Sequence, residues 1–511
     1  MTARAPFRIG RSSRLDGVLY DLRGPVAERA AELEARGEQI LRLNIGNPAP
    51  FGFEAPPVIV EALREALPHA HGYSESPGLP ETREAIRVHY SRRAGFPSLG
   101  IEAVTVGNGV SELVGLTLQA LLEPGDEVLI PSPDYPLWTA STVLAGGEPV
   151  HYRCAEEAGW LPDLEAMAAA IGPRTVAIVI INPNNPTGAV YPRETLEGVA
   201  ELARRHGLLL LSDEIYDRVV YPGFTHVSTA QVAPDVPCVT FAGLSKTHRV
   251  AGYRAAWALT TGFAADDPFL SGLRLLASMR MCASVPAQHA ITAALEHDTS
   301  LDALVAADGR LTVQRDAATA ALRAIPGVDV QEAGGGLYLF PRLDPEVFGI
   351  RDDERLVLDF LDAEHILLVH GRAFNGADTD HVRLAFLPGT DTLIDAVQRF
   401  GRFLQGYSPP GAGGHLTRWS DRVARSRSAR PCTQVRFLPP PPIRLAPSRS
   451  RRRTYPCRRT SSRPPRRSSA TTRWQPSNAC SAAACSPRAP RWRRSSASSR
   501  RSSWRAAPPS R

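Results

Sequence analysis

Lysine is nearly missing from this chain. Its 511 residues hold 59 lysines and arginines together, and only Lys246 is a lysine. A guanidinium stays protonated and cannot attack a carbonyl, whereas an amine can lose its proton and form a Schiff base. Either this position requires an amine, or coding bias against lysine left one survivor by accident. Cysteine is also sparse. Three of the seven cysteines, Cys154, Cys238 and Cys282, lie in the first 408 residues, far apart and without metal-ligand spacing. That excludes a disulfide framework and a metal cluster of the usual spacing, and it suits a reducing cytoplasm. No run of about 18 apolar residues occurs, so no membrane-spanning helix is expected. The segment from Met1 to Arg14 is basic and lacks the apolar stretch of a secretory signal.

Acids are almost absent from the C-terminal fifth. Residues 409–511 carry 25 arginines and a single acid, Asp421, for a net +24; with +7 on the whole chain, the first 408 residues stand at −17. Arginine, serine, proline and alanine dominate this tail, and it shows neither strand alternation nor helical periodicity. Low apolar content with high charge predicts disorder. Two readings of it compete. With Trp419, Trp474, Trp492 and Trp504 it could grip phosphates and stack on bases. Its composition also resembles GC-rich codons translated out of frame.

The first 408 residues read very differently. Short apolar runs at 127–131, 176–182, 208–213 and 237–242 have the pattern of buried parallel strands. Helical patterns at 111–122, 164–171 and 193–206 lie between them, a βαβ rhythm that predicts a doubly wound, mostly parallel α/β domain. Near residue 296 the pattern changes. A long helical stretch over 301–325 precedes short strands near 336–341, 366–369 and 381–386, as in a smaller α+β domain. The expected division is an N-terminal arm and part of the small domain at 1–60, a large domain at 61–295, a small domain at 296–408 and the tail at 409–511.

Lys246 follows the run at 237–242, and strand C-termini are where doubly wound folds place ligands. Arg254 stands eight residues on, across a glycine. An amine beside a guanidinium suits a carbonyl cofactor that carries a phosphate. Asn182-Pro-Asn-Asn-Pro-Thr-Gly188 is a rigid turn after a strand, and an amide held there can donate to a ligand oxygen. Asp213 ends an apolar strand. A carboxylate beside a pyridine nitrogen keeps that nitrogen protonated, although without context Asp213 also has the reading of a helix N-cap. Gly107-Asn-Gly-Val-Ser-Glu-Leu113 opens a helix whose first N–H groups, at Gly109, Val110 and Ser111, can hold a phosphate, with Glu112 competing for the same positive end. Arg383 lies in an apolar strand and suits a bidentate grip on an α-carboxylate. A strand from Leu41 is expected to end at Gly46, where a backbone N–H could meet the same carboxylate.

Together these segments resemble the fold-type I aminotransferases that use pyridoxal 5'-phosphate. The resemblance covers about residues 8–408. It implies a large doubly wound domain with a smaller α+β domain, and it gives each residue a role. Lys246 becomes the Schiff-base lysine and proton shuttle, and Arg254 and Ser245 join the phosphate loop in holding the cofactor. Asn185 contacts its phenolic oxygen and the substrate carboxylate, Asp213 its ring nitrogen, and Tyr216 its phenolic oxygen. Tyr135 would stack on the ring, otherwise serving as a core aromatic, and Tyr73 would reach the phosphate of a neighbouring subunit, which implies a homodimer. Gly46, Asn185 and Arg383 would bind the substrate.

Three stretches resemble the bacterial alanine (glutamate–pyruvate) aminotransferases more narrowly: Gly46-Asn-Pro-Ala-Pro-Phe-Gly-Phe53, Asp134-Tyr-Pro-Leu-Trp138 and Ser278-Met-Arg-Met-Cys-Ala-Ser-Val-Pro-Ala-Gln-His-Ala290. The expected reaction is ping-pong transfer of an amino group from L-alanine to 2-oxoglutarate, with an amino acid and a 2-oxo acid as partners and no membrane. Gly243 departs from the wider pattern, where a serine is common, and so does His248, where an aromatic is common. Other activities on the same scaffold, such as a β-lyase, would carry the same cofactor motifs. An amino-acid-sensing regulator that binds nucleic acid through the tail is a further alternative, though no winged-helix pattern precedes the fold.

Overall fold

The computed structural model describes residues 10–15, 18, 24–376 and 380–407. The tail expectations therefore lie outside the described residues, as do most of residues 1–23. Fifteen strands occur among the described residues. They are β1 Leu41–Arg42, β2 Val104–Gly107, β3 Glu127–Ser132, β4 Glu148–Ala155, β5 Leu161–Pro162, β6 Thr175–Ile181, β7 Leu209–Asp213, β8 Cys238–Gly243 and β9 Ala256–Thr261, followed by the short β10 Val328–Asp329, β11 Tyr338–Leu339, β12 Arg342–Leu343, β13 Ile366–Leu367, β14 Val369–His370 and β15 Val382–Ala385.

Eight strands form one sheet in the order β2-β9-β8-β7-β6-β3-β4-β5. From β8 to β4 the pairs are parallel, and β9 runs against both β8 and β2. The run Thr-Val-Ala-Ile-Val-Ile-Ile of β6 shows why the sheet sits in the middle of the molecule. Ala177, Val179 and Ile181 join one apolar cluster with Leu113, Val114 and Leu118 of the helix Val110–Leu121. Ile178 and Ile180, pointing the other way, join another with Leu196, Val199, Ala200 and Ala203 of the helix Arg193–His206. Side chains alternate across a strand, so apolar residues at every position demand a cover on both faces. The helix Arg193–His206 buries residues at spacings of three and four and stops at Gly207, whose φ of 65° is the left-handed cap a glycine takes readily.

The later strands build smaller sheets: β11-β15-β14 antiparallel, β10 with β12, and β1 parallel to β13. They share a core that includes Leu43, Leu322, Leu339, Leu384 and Phe400, and this core extends to Tyr216 and Val219 beyond the end of β7. No described helix is long and apolar enough to cross a membrane.

Two expectations need correction. The helical stretch 301–325 is two helices, Ser300–Val305 and Arg310–Arg323. Both turn apolar residues to the same core, so periodicity alone runs them together. The break is at Gly309, where a Cβ would press on the carbonyl oxygens of Ala303 and Leu304. The strand expected to end at Gly46 ends at Arg42. Its partner β13 offers only Ile366 and Leu367, and Leu43 N–H closes the ladder on Leu367 O at 3.0 Å. The Leu43 carbonyl accepts from the Ala385 N–H of β15 at 2.8 Å, and residues 44–46 continue outside any strand.

Candidate active site

Sheet order brings the motifs together. β3, β6, β7 and β8 are parallel, so the segments after Ser132, Ile181, Asp213 and Gly243 leave from one edge. β9 reverses direction and β2 reverses it again, so Gly107–Ser111 emerges at that edge too. Gly107, Ala256 and Gly243 are register partners across the three strands, which sets Arg254, just before β9, beside both loops. A cavity of about 490 Å³ opens there, within the usual range of small-molecule sites. Its lining includes Gly46, Val110, Ser111, Tyr135, Asn185, Asp213, Tyr216, Ser245, Lys246, Arg254 and Arg383.

Two expected residues stand apart. Gly109 caps the helix Val110–Leu121 at φ 91°, where a Cβ would collide with the Arg254 guanidinium, so it shapes the cradle from beneath. Tyr73 is 81% exposed and does not line the cavity. Glu112 turns backwards. Its carboxylate accepts from the Asn108 N–H at 2.8 Å, from Asn108 Nδ2 at 2.9 Å and from Arg280 at 2.7 Å, so it does not occupy the mouth of the helix.

Lys246 lies on a one-turn helix, Leu244–Thr247, and its ammonium donates to Gly46 O at 2.7 Å. Asp213 is buried, and its carboxylate accepts from Trp138 Nε1 at 3.2 Å and from the Ile215 N–H at 3.3 Å. Burial pushes Asp213 up to about 6, although Trp138, Ile215 and the Lys246 charge pull the other way. A carboxylate so placed has much to gain from a cation that enters the cavity. Asn185 sits in a braced turn. Asn184 Oδ1 accepts from Thr187 Oγ1 at 2.9 Å, and the Gly188 N–H bonds Asn184 O at 2.9 Å. Arg383, on β15, donates to Asn185 Oδ1 at 2.8 Å and to Asn44 O, and it lies between two aromatic rings, 4.1 Å from the centre of Tyr338 and 4.5 Å from that of Phe374.

Sequence reasoning missed four of these neighbours. Trp138 was visible within a motif, but its contact with Asp213 spans 75 residues. Asn44 acts through its carbonyl, which leaves no side-chain signature. Tyr338 and Phe374 stand in no motif that the sequence reading picked out. The Gly-Gly-Gly run before Tyr338 was a usable signal: Gly335 leaves no room for a Cβ against Pro183, in the turn that holds Asn185.

Residues 38–399 match the family described as aminotransferase class I and II. The chain is 55% identical over 398 residues to the alanine aminotransferase of Mycobacterium bovis, covering 78% of this chain and 93% of that protein. It is 49% identical over 400 residues to the glutamate–pyruvate aminotransferase AlaA of Escherichia coli, covering 78% of this chain and 98% of that protein. Among solved structures, an Escherichia coli aminotransferase superposes with a TM-score of 0.77 at 49% identity, over 78% of this chain and 99% of that one. The alanine aminotransferase of Pyrococcus furiosus gives 0.74 at 36% identity, over 78% and 100%. This chain belongs to the aminotransferase class I and II family.

Proposed function

We propose that the protein is a pyridoxal 5'-phosphate-dependent alanine aminotransferase that passes an amino group from L-alanine to 2-oxoglutarate. The observation that carries this reading is one cavity lined by an amine, a buried carboxylate and a guanidinium. These groups fit the cofactor's parts. Lys246 suits its carbonyl carbon and Asp213 its ring nitrogen. Tyr135 suits the ring face, and Tyr216 and Asn185 suit its phenolic oxygen. The N–H groups of Gly109, Val110 and Ser111, with Ser245 and Arg254, suit its phosphate. When bound, this cofactor supplies an electron sink for the charge left at Cα when a proton departs.

The remaining work falls to the protein. Arg383 grips the substrate α-carboxylate by two parallel hydrogen bonds, and Asn185 and the Gly46 backbone steady it. Lys246 Nζ, which lines the cavity, takes the proton from Cα and would deliver it to the cofactor's carbonyl carbon. Asp213 keeps its negative charge in the loaded site because the cation beside it offsets the burial cost. A single guanidinium serves donor and acceptor alike, so the two bind in turn and kinetics are ping-pong. The 81% exposure of Tyr73 supports a homodimer in which it completes a neighbouring site. The free Cys154, Cys238 and Cys282 support a cytoplasmic location. Residues 61–295 form the cofactor domain in this reading, and 296–408 with part of 1–60 the smaller one.

A donor panel against 2-oxoglutarate tests the assignment. Stoichiometric pyruvate and glutamate with parallel initial-rate lines are expected. Release of ammonia or carbon dioxide, or a better rate with another donor, overturns it. Lys246→Arg keeps the charge and should abolish both turnover and the covalent cofactor absorbance.

A further inference from the structure

We propose that Tyr338 is a positioning residue of this site, a second phenol that aims and strengthens the hydroxyl of Tyr216. The inference rests on the pyridoxal phosphate reading above and extends it to a residue with no role in that reading. Tyr338 lies on β11, is 4% exposed and lines the cavity. Its hydroxyl is a junction. It accepts from the Tyr216 hydroxyl at 3.2 Å and packs against the backbone of Gly46. A Cβ on Gly46 would overlap the Tyr338 hydroxyl, so the phenol leaves room only for a glycine at that position. Gly46 O in turn receives the Lys246 ammonium at 2.7 Å, and the Tyr338 ring lies under the Arg383 guanidinium. One phenol oxygen thus joins the amine's acceptor, the carboxylate anchor and the hydroxyl expected to face the cofactor.

The protons can be counted. Two phenols own two protons, and their mutual contact uses one. In this structure Tyr216 donates that one to Tyr338. A ligand oxygen arriving at Tyr216 claims its proton, and the Tyr338 proton is then the one left to fill the contact between the two phenols. A hydroxyl that accepts a hydrogen bond donates a stronger one. The charged and titratable groups facing the pair are Lys246 from the helix Leu244–Thr247, Arg383 from β15 and Tyr135 from the segment after β3. Burial drives Tyr216 well above the ordinary phenol range. Burial works upward on Tyr338 too, but the Lys246 and Arg383 cations, with the hydrogen bond accepted from Tyr216, bring that phenol below its ordinary value.

The test reads the bound cofactor's visible absorption band against pH, not turnover. Donation from Tyr216 to the cofactor's phenolic oxygen stabilises negative charge there and lowers the proton affinity of the unit that colours the band. Tyr338→Phe keeps the ring over Arg383 and removes only the hydroxyl, so weaker donation should move the midpoint up by about half to one pH unit. Tyr216→Phe should move it further, and the double variant should coincide with Tyr216→Phe, because Tyr338 acts through Tyr216. An unmoved midpoint in Tyr338→Phe, or shifts that add in the double variant, overturns the proposal. Near-ultraviolet circular dichroism checks that each variant is folded, and Tyr216→Phe probes the same contact from its other side. A wild-type protein with no such band after incubation with pyridoxal phosphate overturns the cofactor reading itself, a result distinct from the other two.

Discussion

The guanidinium of Arg383 donates to the side-chain oxygen of Asn185 at 2.8 Å, across 198 positions of sequence. The bond ties β15 to the turn after β6. It also orients the amide. With its oxygen taken, Asn185 presents two N–H donors, the polarity that an oxygen of a ligand needs. The guanidinium carbon itself lies 4.1 Å from the ring centre of Tyr338 and 4.5 Å from that of Phe374, and a planar fork suits a two-point grip better than a point charge does.

Arg383→Lys should therefore behave as a severe change. The ammonium keeps the charge but loses the fork and the ring stacking. We expect kcat/KM for alanine to fall about a hundredfold or more, roughly 3 kcal/mol of lost transition-state stabilisation. Cofactor absorbance should be retained, because Arg383 does not reach the phosphate loop. Steady-state kinetics with a spectral titration checks both halves, and near-normal kcat/KM in the lysine variant removes Arg383 from the substrate.

Asp213 makes stability depend on pH in a definite direction. Burial holds its proton in the folded protein to about 6, against roughly 4 for an unfolded aspartate. The folded state binds the proton more tightly, so this stabilising contribution is complete below about 4 and is lost as pH rises through 6. Asp213→Asn keeps an acceptor for Trp138 and escapes this loss. In protein stripped of cofactor, the variant should gain on wild type between pH 4 and 6, levelling at up to about 3 kcal/mol. Urea titrations at a series of pH values measure the gap. With cofactor restored, the order should reverse, since the asparagine cannot pair a ring cation.

Gly109→Ala should weaken cofactor binding. The position has φ 91°, which an alanine adopts only under strain, and the added methyl displaces the Arg254 guanidinium. Loss of one charge-assisted contact with the phosphate corresponds to about a tenfold or greater rise in the dissociation constant. Equilibrium dialysis against pyridoxal phosphate reads it directly, and unchanged affinity argues against this cradle.

Gly46→Ala should destabilise by about 1 to 3 kcal/mol, the usual cost of forcing a methyl into a filled space. The clash is with the Tyr338 hydroxyl and its ring carbon Cζ, so the combination with Tyr338→Phe should recover part of the loss. Thermal melting of the two single variants and the double variant gives the coupling. Simple additivity would show that the two residues do not press on each other.

Much of this protein was legible one segment at a time. β3, β6, β7 and β8 fall within a residue or two of the apolar runs, and the helix Arg193–His206 matches its pattern at both ends. Such elements announce themselves because a central parallel strand must be apolar on both faces and a helix must present one apolar stripe. The failures were also local readings. Periodicity could not detect the break at Gly309, because both flanking helices face the same core. Nor could it end β1 at Arg42, because a strand is only as long as its partner, and β13 is set by packing far along the chain.

By itself, then, the sequence determined which chemistry was on offer. One lysine, one acid closing a strand, a glycine-opened helix and an arginine in an apolar strand are local facts, and their types restrict the ligand they suit. Only the tertiary structure decided how they meet. The order β2-β9-β8-β7-β6-β3, with its two reversals, gathers loops from five strands on one edge. Trp138 behind Asp213, the Gly46 carbonyl under Lys246 and the Tyr338 hydroxyl against Tyr216 all span 75 residues or more. Contacts of that range come from sheet order and side-chain packing, which no short stretch of residues encodes.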